Sequence, residues 1–299
     1  MRHNHLATWG DRELPAIGVG AMPFSWPPVH DHDDAVAVLH HAFDLGMTLV
    51  NTADIYAPSA SEMGHNERLV GDAVRSYAGG REAVTVITKN GICRGDGERW
   101  WRDNSRDYML RAAERSNAML GFEPDVIAVH RLNREQSWQE CVEALLEVRE
   151  RGLAKRIGLS NVTRAEFDAA WTISGGSICI VEQERSPYYR EMTDILEACA
   201  ERGVAYLAWS PLGGGAKAKQ LPQDNPVFAE VAEKHHTSAQ NIALAWLMAQ
   251  GPHLIPIPGF TRAASADEAA AAAHIQLSAE ELDRLDASPA TATLDLAEY

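Results

Sequence analysis

The strongest constraint on this chain is an alternation. Short apolar runs alternate with stretches of helical period, eight times over. The runs are AIGVG (Ala16–Gly20), GMTLV (Gly46–Val50), VTVIT (Val84–Thr88), DVIAV (Asp125–Val129), AKRIGL (Ala154–Leu159), SICIVEQ (Ser177–Gln183), VAYLAWS (Val204–Ser210) and HLIPIPG (His253–Gly259). Between them the apolar spacing, acidic starts and glycine stops predict helices over Asp33–Gly46, His65–Tyr77, Arg106–Leu120, Glu135–Arg151, Arg164–Trp171, Met192–Gly203 and Ser238–Gly251. Helices over Ser265–Ala273 and Ser278–Leu285 close the pattern. Continuous apolar runs suit strands of a parallel sheet covered on both faces. Eight strand–helix units in about 250 residues is the count of a (β/α)8 TIM barrel. A doubly wound sheet is the rival fold, but no GxGxxG follows the first run. Residues 1–15 read as a short N-terminal β-hairpin, HLATW and RELPAI about Gly10-Asp11. The stretch GICRGDGERWWRDNS (Gly91–Ser105) reads as a polar loop, and a second long loop runs from the seventh strand to Pro226, before a small helix. No linker or composition break is visible, so residues 1–299 read as one domain.

Composition narrows the function. A net charge of −15 argues against nucleic acid or an anionic membrane as partner. MRHNHLATWG has no apolar core of a signal peptide, and no apolar run reaches the ~20 residues of a membrane span. The four cysteines, Cys93, Cys141, Cys179 and Cys199, show no CxxC spacing, as expected of reduced thiols in a cytoplasmic protein. The histidines show no repeated metal-ligand spacing, and no metal is expected. Gly213-Gly214-Gly215 does not complete a Walker A pattern, and neither GxSxG nor HExxH occurs.

The chemistry gathers at strand ends. NTADIY (Asn51–Tyr56) follows the second run, the third continues to Lys89, and the fourth to His130. Three ionisable side chains at the C-terminal ends of separate strands is the pattern of a parallel-barrel active site. Tyr56 is a candidate proton donor, and its phenol needs a nearby cation to exchange a proton near neutral pH. Later strands end in GLSN, VEQ and AWSPLG. Ser160, Asn161 and Gln183 can hold another amide in both donor and acceptor senses, and Trp209 offers a flat face. Together they suit a nicotinamide ring with its carboxamide.

Taken in order, NTADIY, HNERLVGDAV, ITK (Ile87–Lys89), AVH (Ala128–His130), IGLSN (Ile157–Asn161), VEQ, WSPLG and IPIPGFTR (Ile255–Arg262) resemble the aldo-keto reductases over nearly the whole chain. The resemblance implies a (β/α)8 barrel that binds NADPH across its mouth and reduces aldehydes or ketones. It implies Tyr56 as general acid, Lys89 as the cation lowering its pKa, and His130 as the residue orienting the carbonyl. It further implies Ser160, Asn161 and Gln183 on the carboxamide, Trp209 stacked on the ring, and Ser210, Leu212 and Gly214 along the pyrophosphate. Arg262 would hold the 2′-phosphate and Glu268 the adenine. Two positions depart from the family pattern: Asn51 stands where an aspartate usually pairs with the lysine, and Ala269 where an asparagine is usual. With no carboxylate at position 51, Lys89 is expected to push the Tyr56 pKa down and to have its own lowered, and Asn51→Asp is expected to restore the ammonium. Asp54 is no obvious substitute. Two rival readings follow: an NADPH-binding regulatory subunit whose catalysis has weakened at Asn51, and a lyase using Lys89 as a Schiff-base amine. Trp26, Trp100 and Trp101 are candidate walls of the substrate pocket.

Overall fold

The computed structural model describes Met1 and residues 3–290. The end of the expected domain, residues 291–299, and Arg2 lie outside the described residues. Eight parallel strands follow one another in chain order: β1 (Val19–Gly20), β2 (Leu49–Asn51), β3 (Thr85–Asn90), β4 (Val126–Val129), β5 (Arg156–Ser160), β6 (Ile178–Glu184), β7 (Ala205–Trp209) and β8 (Leu254–Pro256). The curl closes where β1 meets the chain beyond β8. Gly18 N–H donates to Pro256 O (3.0 Å), Gly20 N–H donates to Pro258 O (2.9 Å), and Gly20 bridges Gly259. That approach needs glycine, because a Cβ on Gly20 would lie 2.8 Å from the Ile257 carbonyl oxygen. The result is a (β/α)8 barrel.

The helices are α1 (His32–Asp44), α2 (His65–Ser76), α3 (Arg106–Leu120), α4 (Trp138–Glu150), α5 (Arg164–Ile173), α6 (Thr193–Arg202), α7 (Gly215–Asp224), α8 (Pro226–Lys234), α9 (Ala239–Ala249), α10 (Ala263–Ala272) and α11 (Ala279–Asp286). Their starts follow capping chemistry: Ser105, Ser137 and Ser238 accept first-turn amides, while Thr163 and Ser278 open full capping boxes. Outward-facing strand residues such as Ile127, Leu159, Val181 and Tyr206 join the helices in the larger core cluster. Inward-facing Leu49, Ile87, Val126, Ala128, Ile180, Ala205, Leu207 and Ile255 fill the barrel, with Leu6, Trp9 and Leu14 of the N-terminal segment. Trp9 Nε1 donates to Cys179 O at 3.0 Å, anchoring that segment to β6.

Three expectations need adjustment. The N-terminal hairpin exists, but only His3–Asn4 pairs with Leu14–Pro15, and a 3-10 turn over Ala7–Trp9 replaces the rest of the first strand. The stretch expected as a polar loop holds an antiparallel hairpin, Ile92–Gly95 with Arg99–Arg102. Its turn centres on Gly97, whose φ of 68° is left-handed. The long loop after β7 contains α7, which carries Pro222.

Candidate active site

Inward parity assembles the site. Asn51 ends β2, Lys89 is the penultimate residue of β3, His130 follows β4, Ser160 ends β5, Glu182 lies in β6 and Trp209 ends β7. All except Lys89 line a cavity of about 890 Å³ at the C-terminal mouth, with Tyr56 among them. Lys89 lies beneath, wholly buried.

Lys89 Nζ donates to Asn51 Oδ1 and to Glu182 Oε1, the latter at 3.2 Å. Asn51 Nδ2 in turn donates to Glu182 Oε2 at 2.8 Å. The three side chains close a ring of ammonium, amide and carboxylate. Above it stands Tyr56, with Lys89 Nζ 5.1 Å from its ring centroid. The His130 ring meets Tyr56 edge-on, 5.7 Å between centroids and 84° between planes.

The electrostatics correct the sequence reading. Lys89 does not lack a carboxylate, because Glu182 supplies one from across the barrel. Burial pulls the lysine pKa down, but Glu182 and Tyr56 outweigh it, and the net shift is upward. The Tyr56 pKa also moves up: burial dominates, Glu182 adds to it, and the charge of Lys89 only opposes it. Both directions are the reverse of what a bare lysine implied. His130 is held well below the usual histidine range, first by burial, then by Lys89 and Arg131, so its imidazole is neutral near pH 7. Asp54 meets Lys89 only through the backbone, its N–H donating to Lys89 O at 3.2 Å, while its carboxylate accepts from Asn90 Nδ2 at 3.0 Å.

The residues expected around a nicotinamide divide. Ser160, Asn161, Trp209, Ser210, Leu212 and Gly214 line the cavity. Gln183 does not: it faces away from the barrel interior, fully buried, and its amide donates to Val162 O. The polar side chain that β6 turns into the cavity is Glu182. Asn161 (φ 57°) and Ser210 (φ 44°) both occupy left-handed backbone; asparagine tolerates it, whereas for serine it is a strain of the kind that concentrates at functional sites. Asn161 Oδ1 accepts from Trp209 Nε1 at 3.2 Å, fixing the indole plane.

Two helix starts at the rim leave amides without a side-chain cap. α7 begins beside Gly214, whose φ of 88° only glycine adopts freely, and no side chain caps its first turn. α10 begins after Arg262 and is likewise uncapped. Uncapped helix N-termini suit phosphate oxygens. Arg262 and Glu268 are exposed on this flank, beyond Thr261 of the cavity wall, and Arg262 Nη2 donates to Ser265 Oγ at 3.2 Å.

The other end of the cavity is aromatic. Trp26, Trp100 and Trp101 line it, with Ile55, Ile92 and Met22. The Arg94 guanidinium lies 5.5 Å from the Trp26 ring and 4.9 Å from that of Trp100, joining the loop after β1 to the second hairpin. Arg102 and Arg131 also reach this cavity, and the sequence reading named neither.

An eight-stranded parallel barrel that gathers tyrosine, lysine and histidine at its C-terminal mouth, beside a large cavity, is the arrangement in which barrel enzymes place their active sites. The Aldo/keto reductase family matches residues 16–289, and the chain belongs to that family. Pyridoxine 4-dehydrogenase of Escherichia coli (strain K12) is 30% identical over 292 residues, covering 93% of this chain and 96% of the relative. Among solved structures, a thermostable aldo-keto reductase in complex with the inhibitor epalrestat aligns with a TM-score of 0.80 at 28% identity, covering 96% of this chain and 99% of the other. An aldo/keto reductase from Klebsiella pneumoniae, in complex with NADP and acetate, aligns with a TM-score of 0.79 at 26% identity, covering 95% and 94%.

Proposed function

We propose that this protein is an NADPH-dependent reductase of aldehydes or ketones, with Tyr56 as the proton donor. The observation that carries the reading is the convergence of Tyr56, His130 and the buried Lys89 on one cavity floor. Uncapped amides at α7 and α10, with Arg262 beside the second, suit the phosphates of such a cofactor. When bound, the cofactor supplies the hydride. The protein's own residues do the rest. Neutral His130 has an N–H to offer the carbonyl oxygen and orients it toward the Tyr56 hydroxyl. Tyr56 delivers the proton as charge develops on that oxygen. Lys89 stabilises the phenolate left behind, and an oriented charge in a dry site is a large catalytic term. Ser160 and Asn161 are the amide partners on this reading, and Trp209 the stacking surface. Ser210, Leu212 and Gly214 would hold the pyrophosphate, and Glu268 the adenine.

The substrate is a small molecule whose carbonyl is carried on a broad apolar or aromatic body, matched to Trp26, Trp100 and Trp101. The regulatory-subunit reading rested on a lysine without a carboxylate, and Lys89 has Glu182. The lyase reading needs a free amine, whereas Lys89 is buried in an ion pair. NADPH oxidation with a panel of aryl and alkyl aldehydes tests the function. Tyr56→Phe should bind NADPH normally while turnover falls by about 10²–10⁴, the range of general-acid catalysis. A wild type inert across the panel would refute it, as would an unimpaired Tyr56→Phe.

A further inference from the structure

We propose that Glu182 and Asn51 act as one unit, a transposed counter-ion that holds Lys89 in its charged, tyrosine-facing position. On this inference, which rests on the reading above, Glu182 is a positioning residue for proton delivery by Tyr56.

Lys89 is fully buried, and Glu182 is the acidic side chain in ion-pair contact with it among the described residues. A buried ammonium without a counter-charge neutralises or finds another place. Asn51 has the one side chain whose two ends serve both partners. Its oxygen accepts from Lys89 and its nitrogen donates to the second Glu182 oxygen. A neutral amide is therefore required at position 51 because the charge is on β6. An aspartate there could not donate, and its second oxygen would stand where Nδ2 now lies, 2.8 Å from a carboxylate oxygen. Asn51 is thus matched to Glu182 and is no sign of lost catalysis. Burial of both partners, with Glu182 3% exposed, keeps water from screening the pair.

The consequence is a pair of substitutions that are harmful singly and compatible together. Glu182→Gln removes the carboxylate and leaves a buried ammonium between two amides. Asn51→Asp sets two carboxylates against one ammonium. Asn51→Asp with Glu182→Gln keeps one carboxylate, one amide and one ammonium, with the charge moved from β6 to β2.

The test measures kcat and KM from pH 6 to 11 for these three variants and the wild type, using the best aldehyde of the panel. Glu182→Gln should lower kcat by about ten- to a hundredfold, the lower part of the general-acid range. Its basic limb should move down by about one to three pH units, the size of an adjacent-charge effect. Asn51→Asp alone should also lose activity. The double variant should recover at least tenfold over Glu182→Gln and move the limb back up. Cofactor titration monitors the integrity of each variant. A Glu182→Gln enzyme with wild-type rate and limb would overturn the proposal, and so would a double variant no better than Glu182→Gln.

A second measurement is independent of turnover. Urea midpoints of the four proteins at pH 7 form a double-mutant cycle. Strong coupling, with the double variant more stable than either single one, supports the transposed pair even if no carbonyl is reduced and the functional reading fails. Additive midpoints would overturn it.

Discussion

Strand β3 meets buried acid on both of its faces, and the two encounters differ. On the inner face Lys89 meets Glu182, with Asn51 closing the ring. On the outer face Thr88 Oγ1 donates to Glu67 Oε1 at 2.6 Å, and Asn90 Nδ2 donates to Asp54 Oδ2 at 3.0 Å. The inner carboxylate has a cation in contact; the outer pair has neutral donors, with no ion pair among the described residues. Asp54 Oδ1, Glu67 Oε2 and Asn90 Oδ1 are buried without a hydrogen-bond partner among them. The Asp54 pKa is accordingly pushed well up, first by burial and then by the charge of Glu67, and the Glu67 pKa is raised by burial. Two buried carboxyls without a contacting cation tend to keep a proton, because that is cheaper than two desolvated charges. The contrast separates function from scaffold. The inner face holds a charge fixed beside Tyr56, the proton donor of the proposed reaction; the outer face ties the NTADIY loop to α2 and α3 through groups that need no charge.

The largest expected effect comes from breaking the inner pair. Lys89→Met leaves Glu182 buried without its cation and should destabilise the protein by about 3–5 kcal/mol near pH 7. Urea unfolding checks this; a loss below about 1 kcal/mol, the scale of an exposed pair, would show that the inner pair is no stronger than a surface contact. The outer pair should behave in the opposite sense. A carboxyl whose folded pKa is raised gives stability that is full below its unfolded pKa and lost as pH rises through the folded one. Asp54→Asn keeps the acceptor for Asn90 and has no proton to lose. It should stabilise the protein by about 1–3 kcal/mol at pH 8–9, the scale of a buried unmet polar group, and flatten the decline of stability as pH rises above the unfolded carboxyl range, about 4. An unchanged pH slope would place the coupled proton elsewhere. The smallest effect on stability belongs to a charge outside both clusters. Arg262→Ala should shift unfolding by no more than about 0.5 kcal/mol, as exposed substitutions do. Yet it should weaken NADPH binding about ten- to a hundredfold, a charge-assisted contact being worth roughly 1.5–3 kcal/mol, and leave NADH nearly unchanged. Equal losses for both cofactors would remove Arg262 from the 2′-phosphate.

Most of the barrel was legible in the sequence because strand and helix periods differ and caps mark helix starts. Helix α3 has the bounds its pattern predicts, Arg106–Leu120. The Ile92–Arg102 hairpin escaped because charged and aromatic residues crowd a short Asp-Gly turn, although that turn between apolar pairs was its signal. Helix α7 escaped because it opens on glycines and contains a proline. At the site, Tyr56, Lys89, His130 and Asn51 could be found because each ends or follows an apolar run. Glu182 could not be separated from Gln183 in the same way. A strand buried on both faces shows no alternation, so nothing in ICIVEQE says which residues point inward. Only the pairing of β6 with β5 and β7 orients the side chains, placing Glu182 opposite Ser160 and Leu207. Its partner Lys89 is 93 positions away, beyond any local pattern.

The aromatic end of the cavity has an optical consequence. The chain holds eight tryptophans, and four of them, Trp26, Trp100, Trp101 and Trp209, line this one cavity. Half of the protein's tryptophans therefore lie within reach of whatever occupies the site, and Arg94 already sits against two of those rings. A guest that stacks there or displaces water changes the polarity around these fluorophores, while Trp9 and Trp246 stay sealed in the core. The molecule thus carries its own label at the candidate site and its own internal reference away from it.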